Sequence, residues 1–253
     1  ICSGTAITLH PVSLLVRQAK TGQAAGTAAP GSAPVKGVLA LCVDDCGGDL
    51  ETQQIYENLG VPVTLSVMPN RQYTRQSASE GAAAGLEIIL HQPMEPESDS
   101  GMEPRTILTS MSDDSIRAML RESLSQVPQA AGINNHQGSK ATADKRVMAV
   151  VMQELKQRGL FFFDSRTSAA SVGAATASAY GVRSASNSFF IDNSSDEASI
   201  RARLQQAGEL AARNGSVIII GHCRPHTAQA VKDMVPILRS QGIRFVFLSD
   251  VMR

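Results

Sequence analysis

Short apolar runs recur along this chain, and most of them end in a residue capable of chemistry. Residues 38–43 lead into Asp44 and Asp45, 86–90 into His91, and 131–133 into Asn134, Asn135 and His136. Residues 160–163 lead into Asp164, 189–191 into Asp192 and Asn193, and 217–221 into His222. The pattern predicts strands at 38–43, 62–67, 86–91, 131–135, 160–164, 188–192, 216–221 and 244–248. Most of these are continuously apolar, as parallel strands buried on both faces require. Helical spacing lies between them. Ser112 opens one helix, with Ile116, Leu120, Leu124 and Val127 on one face and Pro128 beyond it. Thr142 opens the next, with Val147, Val151 and Leu155 facing inward and Gly159 as its stop. Ser194 and Glu197 read as a capping box before Ile200, Leu204 and Ala211, with Gly215 ending that helix. A last helix runs from Thr227 to Gly242, with a kink expected at Pro236.

Strand–helix alternation of this kind predicts an α/β fold around a parallel sheet, with enough units for a closed or nearly closed barrel. The C-terminal strand ends of such a fold share one rim, and ligands bind there. The polar run ends therefore predict a single site assembled from residues far apart in sequence. The first strand–helix turn lacks G-x-G-x-x-G and no P-loop occurs, which disfavours a nucleotide-binding doubly wound sheet.

Composition narrows the partners. The 253 residues, 43% hydrophobic, suffice for a large core. A formal net charge of zero argues against nucleic acid or an anionic membrane surface. No apolar stretch approaches the roughly 20 residues of a spanning helix, so no integral membrane segment is expected. Residues 21–36 (TGQAAGTAAPGSAPVK) are small, unpatterned and contain Pro and Gly, which reads as a linker. The expected organisation is a tail and flexible linker over 1–36 and one domain over 37–253. The sequence opens on Ile1, so an upstream signal or anchor is expected, placing the domain in the cell envelope, the periplasm or outside the cell. Cys2 is either a lipidation site or an incidental tail residue. Cys42 reads as core, and Cys46 and Cys223 either pack, pair or ligate a soft metal; the spacing matches no zinc motif.

The sharpest local signal is Asp44-Asp45. Two adjacent carboxylates after a buried strand repel one another and are costly to desolvate, and a metal relieves that cost. Successive residues of an extended segment point apart, so one carboxylate can ligate while the other acts as a base. Helix capping by Asp45 or Asp49 is the simpler alternative. His91, His136 and His222 all end strands. Asp45, His91 and His136 make an Asp/His/His set that leaves room for water, a ligand count typical of catalytic zinc. Glu95 is a fourth candidate ligand or a solvated loop carboxylate. His222 suits a general acid. His226 reads as exposed, and His10 lies in the tail. Asp164 either holds a histidine in one tautomer or pairs with Arg166. Ser165 follows it at the same rim. Asp192 and Asn193 either bind substrate hydroxyls or, more simply, cap the next helix. The long segment 92–111 is expected to be a lid or substrate wall. No G-x-S-x-G elbow is present.

The segments VDDCGGD (43–49), GLEIILHQPMEP (85–96), GINNHQGSKATAD (132–144), GLFFFDSRTS (159–168), FFIDN (189–193) and IIIGH (218–222) resemble, in order, the divergent polysaccharide deacetylase family. The resemblance spans about residues 37–253. It implies a distorted (β/α) barrel of seven to eight mostly parallel strands, and kinship with metal-dependent carbohydrate deacetylases. It further implies Asp44 as base, Asp45 as metal ligand and His222 as general acid. A His-x-x-x-His motif supplies two ligands in the related enzymes. Here it reads His91-Gln92-Pro93-Met94-Glu95, and His136 is expected to replace the second histidine. An Arg-Pro-Tyr-type segment is replaced by 134–139, which makes Asn135 and Ser139 candidate metal or substrate contacts. The expected cofactor is a divalent metal, most simply Zn2+. The expected substrate is an acetylated envelope or extracellular polysaccharide. The alternative is a non-catalytic module that binds a glycan or peptide in the same pocket.

Overall fold

The computed structural model describes residues 34–98 and 101–253. Cys2, His10 and most of the expected linker lie outside the described residues. Among the described residues nine strands form the sheet: β1 (Gly37–Cys46), β2 (Thr64–Val67), β3 (Glu87–Met94), β4 (Gly132–Gln137), β5 (Phe161–Asp164), β6 (Ser184–Ser186), β7 (Phe189–Phe190), β8 (Ser216–His222) and β9 (Ile243–Val246). Every strand pair is parallel. The order is β6-β5-β4-β3-β2-β1-β8-β7, with β9 beside the first half of β1.

The fold is a distorted (β/α) barrel, a curled sheet whose two ends come from one short segment. The strand expected at 188–192 is reduced to β7, and β6 just ahead of it was not expected. β6 pairs with β5, and two residues later β7 pairs with β8. Asn187 N–H donates to the Asp164 carbonyl and Ser188 N–H to that of Ile218. A single stretch of chain thus supplies both end strands of the curled sheet.

Strand periodicity sorts the side chains into two layers. Leu39, Leu41 and Val43 of β1 pack outward beneath the helices, as does Phe162 of β5. Ala40 and Cys42 point into the barrel with Ile89, Phe161, Phe163 and Ile220, and Leu248 plugs the bottom. Continuing the inward rows by two residues reaches Asp44, His91, Ser165 and His222. The barrel's inner face thus delivers these residues to the top.

Among the described residues seven helices cover the outside: α1 (Leu50–Glu57), α2 (Thr74–Ala83), α3 (Asp113–Gln126), α4 (Lys145–Arg158), α5 (Gly173–Tyr180), α6 (Glu197–Asn214) and α7 (Pro225–Ser240). Ser112 caps α3, as expected. Three other starts differ from the sequence reading. Asp144, not Thr142, caps α4; Thr142 sits in a preceding 3-10 turn. Asp196, not Ser194, caps α6. Pro225 occupies the first turn of α7, ahead of Thr227. In the first two cases the carboxylate accepts the orphan amide three residues on, a cap open to any Asp preceding a helix. Asp49 caps α1 in the same way, which leaves Asp45 free of that duty.

Candidate active site and metal centre

The site forms where β1, β3, β4 and β8 end. Strand register sets Asp44 beside His222, and His91 beside Asn134. The pairing of β1 with β2 slips between Val43 and Cys46, and Asp45 adopts a left-handed backbone, φ 62°. Asp tolerates this region better than most residues, and the bulge re-aims its side chain. The two carboxylates do not point apart, as a regular strand would make them. Both line one pocket of about 320 Å³, together with His91, His136 and His222. Gln137 and Arg166, at the ends of β4 and β5, are also left-handed, φ 54° and 55°. Such backbone outliers cluster where surrounding structure holds a functional geometry.

Asp45, His91 and His136 converge. Asp45 Oδ1 is 3.4 Å from His91 Nε2 and 3.1 Å from His136 Nδ1. The two nitrogens are 3.1 Å apart. Donors at about 2.0–2.1 Å around a tetrahedral cation stand about 3.3–3.4 Å apart. The triangle therefore has nearly the size of one face of such a polyhedron. Asp45 Oδ1 is also buried with no hydrogen-bond donor. A buried carboxylate oxygen facing two imidazole nitrogens is a donor set that fits a divalent metal. Burial pushes the Asp45 carboxyl up, but the close approach of His136 and His91 outweighs this and holds it well below the carboxylate range. His91 moves the other way. Burial disfavours its cation, yet Asp44 and Asp45 raise its pKa above the ordinary imidazole value.

On the far side of the pocket, His222 Nδ1 lies 2.8 Å from Asp192 Oδ1. The other carboxylate oxygen accepts the His222 backbone N–H and the Thr227 hydroxyl, each at 2.8 Å. Asp192 thus caps no helix; it orients a histidine. Burial lowers the His222 pKa, but Asp192, with help from the charges of Asp44 and Asp45, more than offsets it, and the net direction is up. Phe190 stacks on the imidazole at 5.9 Å between ring centres, and the Tyr56 hydroxyl donates to the His222 carbonyl.

Other expected residues sit elsewhere. Asp164 touches no histidine: it accepts the Arg166 backbone N–H at 2.8 Å and the Ser171 hydroxyl at 2.7 Å. It lies on the outward row with Phe162, against α5. Glu95 stays outside the triangle, held by Lys140 at 2.6 Å and by the backbone and hydroxyl of Thr109. Asn135 lines the pocket, but its side chain braces the turn by bonding the Gln137 carbonyl and the Ser165 N–H. Ser139 accepts the Glu97 N–H outside the pocket lining. Ser165 and Asn193 line the pocket, and His226 is exposed beside Glu197.

The expected wall over 92–111 is partly strand: β3 runs on to Met94, and Ile107 folds back beside it. From this wall Glu103 reaches Arg71 at 2.5 Å and comes within 4.0 Å of His136 Nε2. Glu103, Asn134, Phe190 and Arg224 were absent from the predicted set. Of these, Asn134 and Phe190 fall inside strand-end segments that the sequence marks, and Glu103 inside the expected wall.

A profile of the divergent polysaccharide deacetylases matches residues 41–252. The chain belongs to this family. It is 36% identical over 205 residues to the uncharacterized protein YibQ of Escherichia coli, covering 81% of this chain and 64% of YibQ. The chain thus spans just under two thirds of that relative. The uncharacterized protein ATU2773 of Agrobacterium tumefaciens superposes with a TM-score of 0.81 at 24% identity, over 88% of this chain and 92% of that one. A family 4 acetyl xylan esterase from Clostridium thermocellum, in complex with a cobalt ion, superposes at 0.51 with 18% identity, over 85% and 89%. This family member therefore has the barrel fold of carbohydrate deacetylases. Among its described residues, no helix is long and apolar enough to cross a membrane.

Proposed function

We propose that this chain is a metal-dependent hydrolase that removes N- or O-acetyl groups from an acetylated polysaccharide of the cell envelope or extracellular space. The Asp45–His91–His136 triangle carries this reading, because its spacing and its unpartnered carboxylate oxygen suit a bound cation. These three atoms would hold a divalent metal, most simply Zn2+, which supplies Lewis acidity toward an acetyl carbonyl and lowers the pKa of water.

The chain's own groups do the rest. Asp44 is 2% exposed and sits beside the triangle, with one oxygen 3.6 Å from His91 Nε2. It takes the proton from the attacking water. His222, backed by Asp192, donates a proton to the departing amine or alcohol. Phe190 packs against the acid and keeps that side of the pocket apolar. Asn193 and Arg224 at the rim face the glycan.

Acetate release from a panel of N- and O-acetylated glycans, with and without chelator, tests the proposal. Release abolished by chelator and restored by zinc is the expected result. Glycan binding without acetate release from any substrate would favour the non-catalytic module instead.

A further inference from the structure

Four hydrogen bonds converge on the amide of Asn134, a fully buried residue of β4. Its Oδ1 accepts from His91 Nδ1 at 2.7 Å and from the Ser66 hydroxyl at 2.5 Å. Its Nδ2 donates to Asp44 Oδ1 at 2.8 Å and to Ser165 Oγ at 3.1 Å. The direction of this network is set by one partner. An ionised carboxylate only accepts, so the amide NH2 must face Asp44. Its oxygen then faces His91, and an oxygen needs a donor there. His91 must carry a proton on Nδ1, and in its neutral form the Nε2 lone pair then faces Asp45 and His136.

We infer that Asn134 is a positioning residue that selects the His91 tautomer and aims Asp44 through the same amide. This rests on the metal-dependent reading of the site. A carboxylate at 134 would face Asp44 with like charge. An apolar residue would leave His91 Nδ1 without its bond and Asp44 Oδ1 with only the weak Cys42 thiol donor in a buried setting. A neutral amide serves both neighbours, and it joins the base to a ligand without touching the cation itself. Partners that orient a ligating histidine typically govern about 10–100-fold in metal affinity.

The test uses the full chain with 15N-labelled histidine, free of metal and at a pH where His91 is neutral, and long-range 1H–15N correlation to read the His91 tautomer. Wild type shows the Nδ1–H form. Asn134→Ala loses that preference, and its affinity for zinc chloride falls about 10–100-fold. Asn134→Asp sets like charge against Asp44 but keeps the acceptor facing His91, so it is expected to retain Nδ1–H and tests the inference where the alanine variant does not fold. Retention of Nδ1–H in Asn134→Ala, or its loss in Asn134→Asp, overturns the inference. Absence of zinc binding by the wild type would sink the metal reading alone, because the tautomer is read without metal.

Discussion

Asp192 Oδ1 and His222 Nδ1 stand 2.8 Å apart, and the same carboxylate also holds the His222 backbone N–H. This double grip fixes the ring and favours its cation. His222 works as an acid only while protonated, and its raised pKa extends the protonated form above the ordinary imidazole range near 6.5. Activity is expected to fall as pH rises through that raised value. In Asp192→Asn the carboxylate's support is gone while burial still opposes the cation, so the alkaline limb of kcat moves to lower pH. A pH profile of acetate release by both proteins checks this, and an unmoved limb would remove His222 from the acid's role.

Asp44 supports the opposite step. Its carboxylate is oriented by Asn134 and lies outside the Asp45–His91–His136 set. Asp44→Asn keeps the shape but cannot take a proton. The expected variant is folded, binds zinc as wild type does, and loses about 10²–10⁴-fold in kcat, the usual worth of general base catalysis. Metal analysis beside single-turnover kinetics separates the two properties. Wild-type turnover in this variant would show that the base is elsewhere.

The sequence and the barrel agree best where period-2 rows run straight. His91 follows Ile89 and His222 follows Ile220 on the inward face, and both end in the pocket. Asp164 looked equivalent at the end of Phe161-Phe162-Phe163. A run of three buried phenylalanines has no polar residue to mark its faces, so its phase is invisible without the fold. Phe162 proves to be the outward one, and Asp164 follows it away from the site. Asp45 joined the site for a reason the sequence conceals, a bulge that breaks the alternation. The β6–β7 partner switch was equally hidden, because two- and three-residue strands carry almost no periodicity.

Glu95 and His136 compete for the third position in the sequence, but only His136 lies in the triangle. Glu95 is occupied by Lys140 and Thr109, and these interactions hold its pKa down despite the opposing effect of burial. His91→Ala and His136→Ala are each expected to weaken zinc by more than the about 10–100-fold typical of outer partners. Glu95→Gln is expected to stay within about threefold of wild type. Isothermal titration with zinc chloride measures all three. A larger loss in Glu95→Gln than in His136→Ala would reverse the assignment.

Asp164 then becomes a stability question. Its carboxylate ties the left-handed Arg166 backbone and the Ser171 hydroxyl to the end of β5, and its carbonyl receives the Asn187 N–H at the barrel seam. Asp164→Ala removes the first two bonds and leaves the third. Losing charge-assisted bonds at a buried carboxylate costs about 1–3 kcal/mol, or several degrees of Tm in a domain of this size. Zinc affinity and the alkaline limb of kcat are expected to stay unchanged, since no histidine touches this side chain. Thermal unfolding followed by zinc titration decides the matter. An unchanged Tm with lost zinc affinity would return Asp164 to the reaction centre.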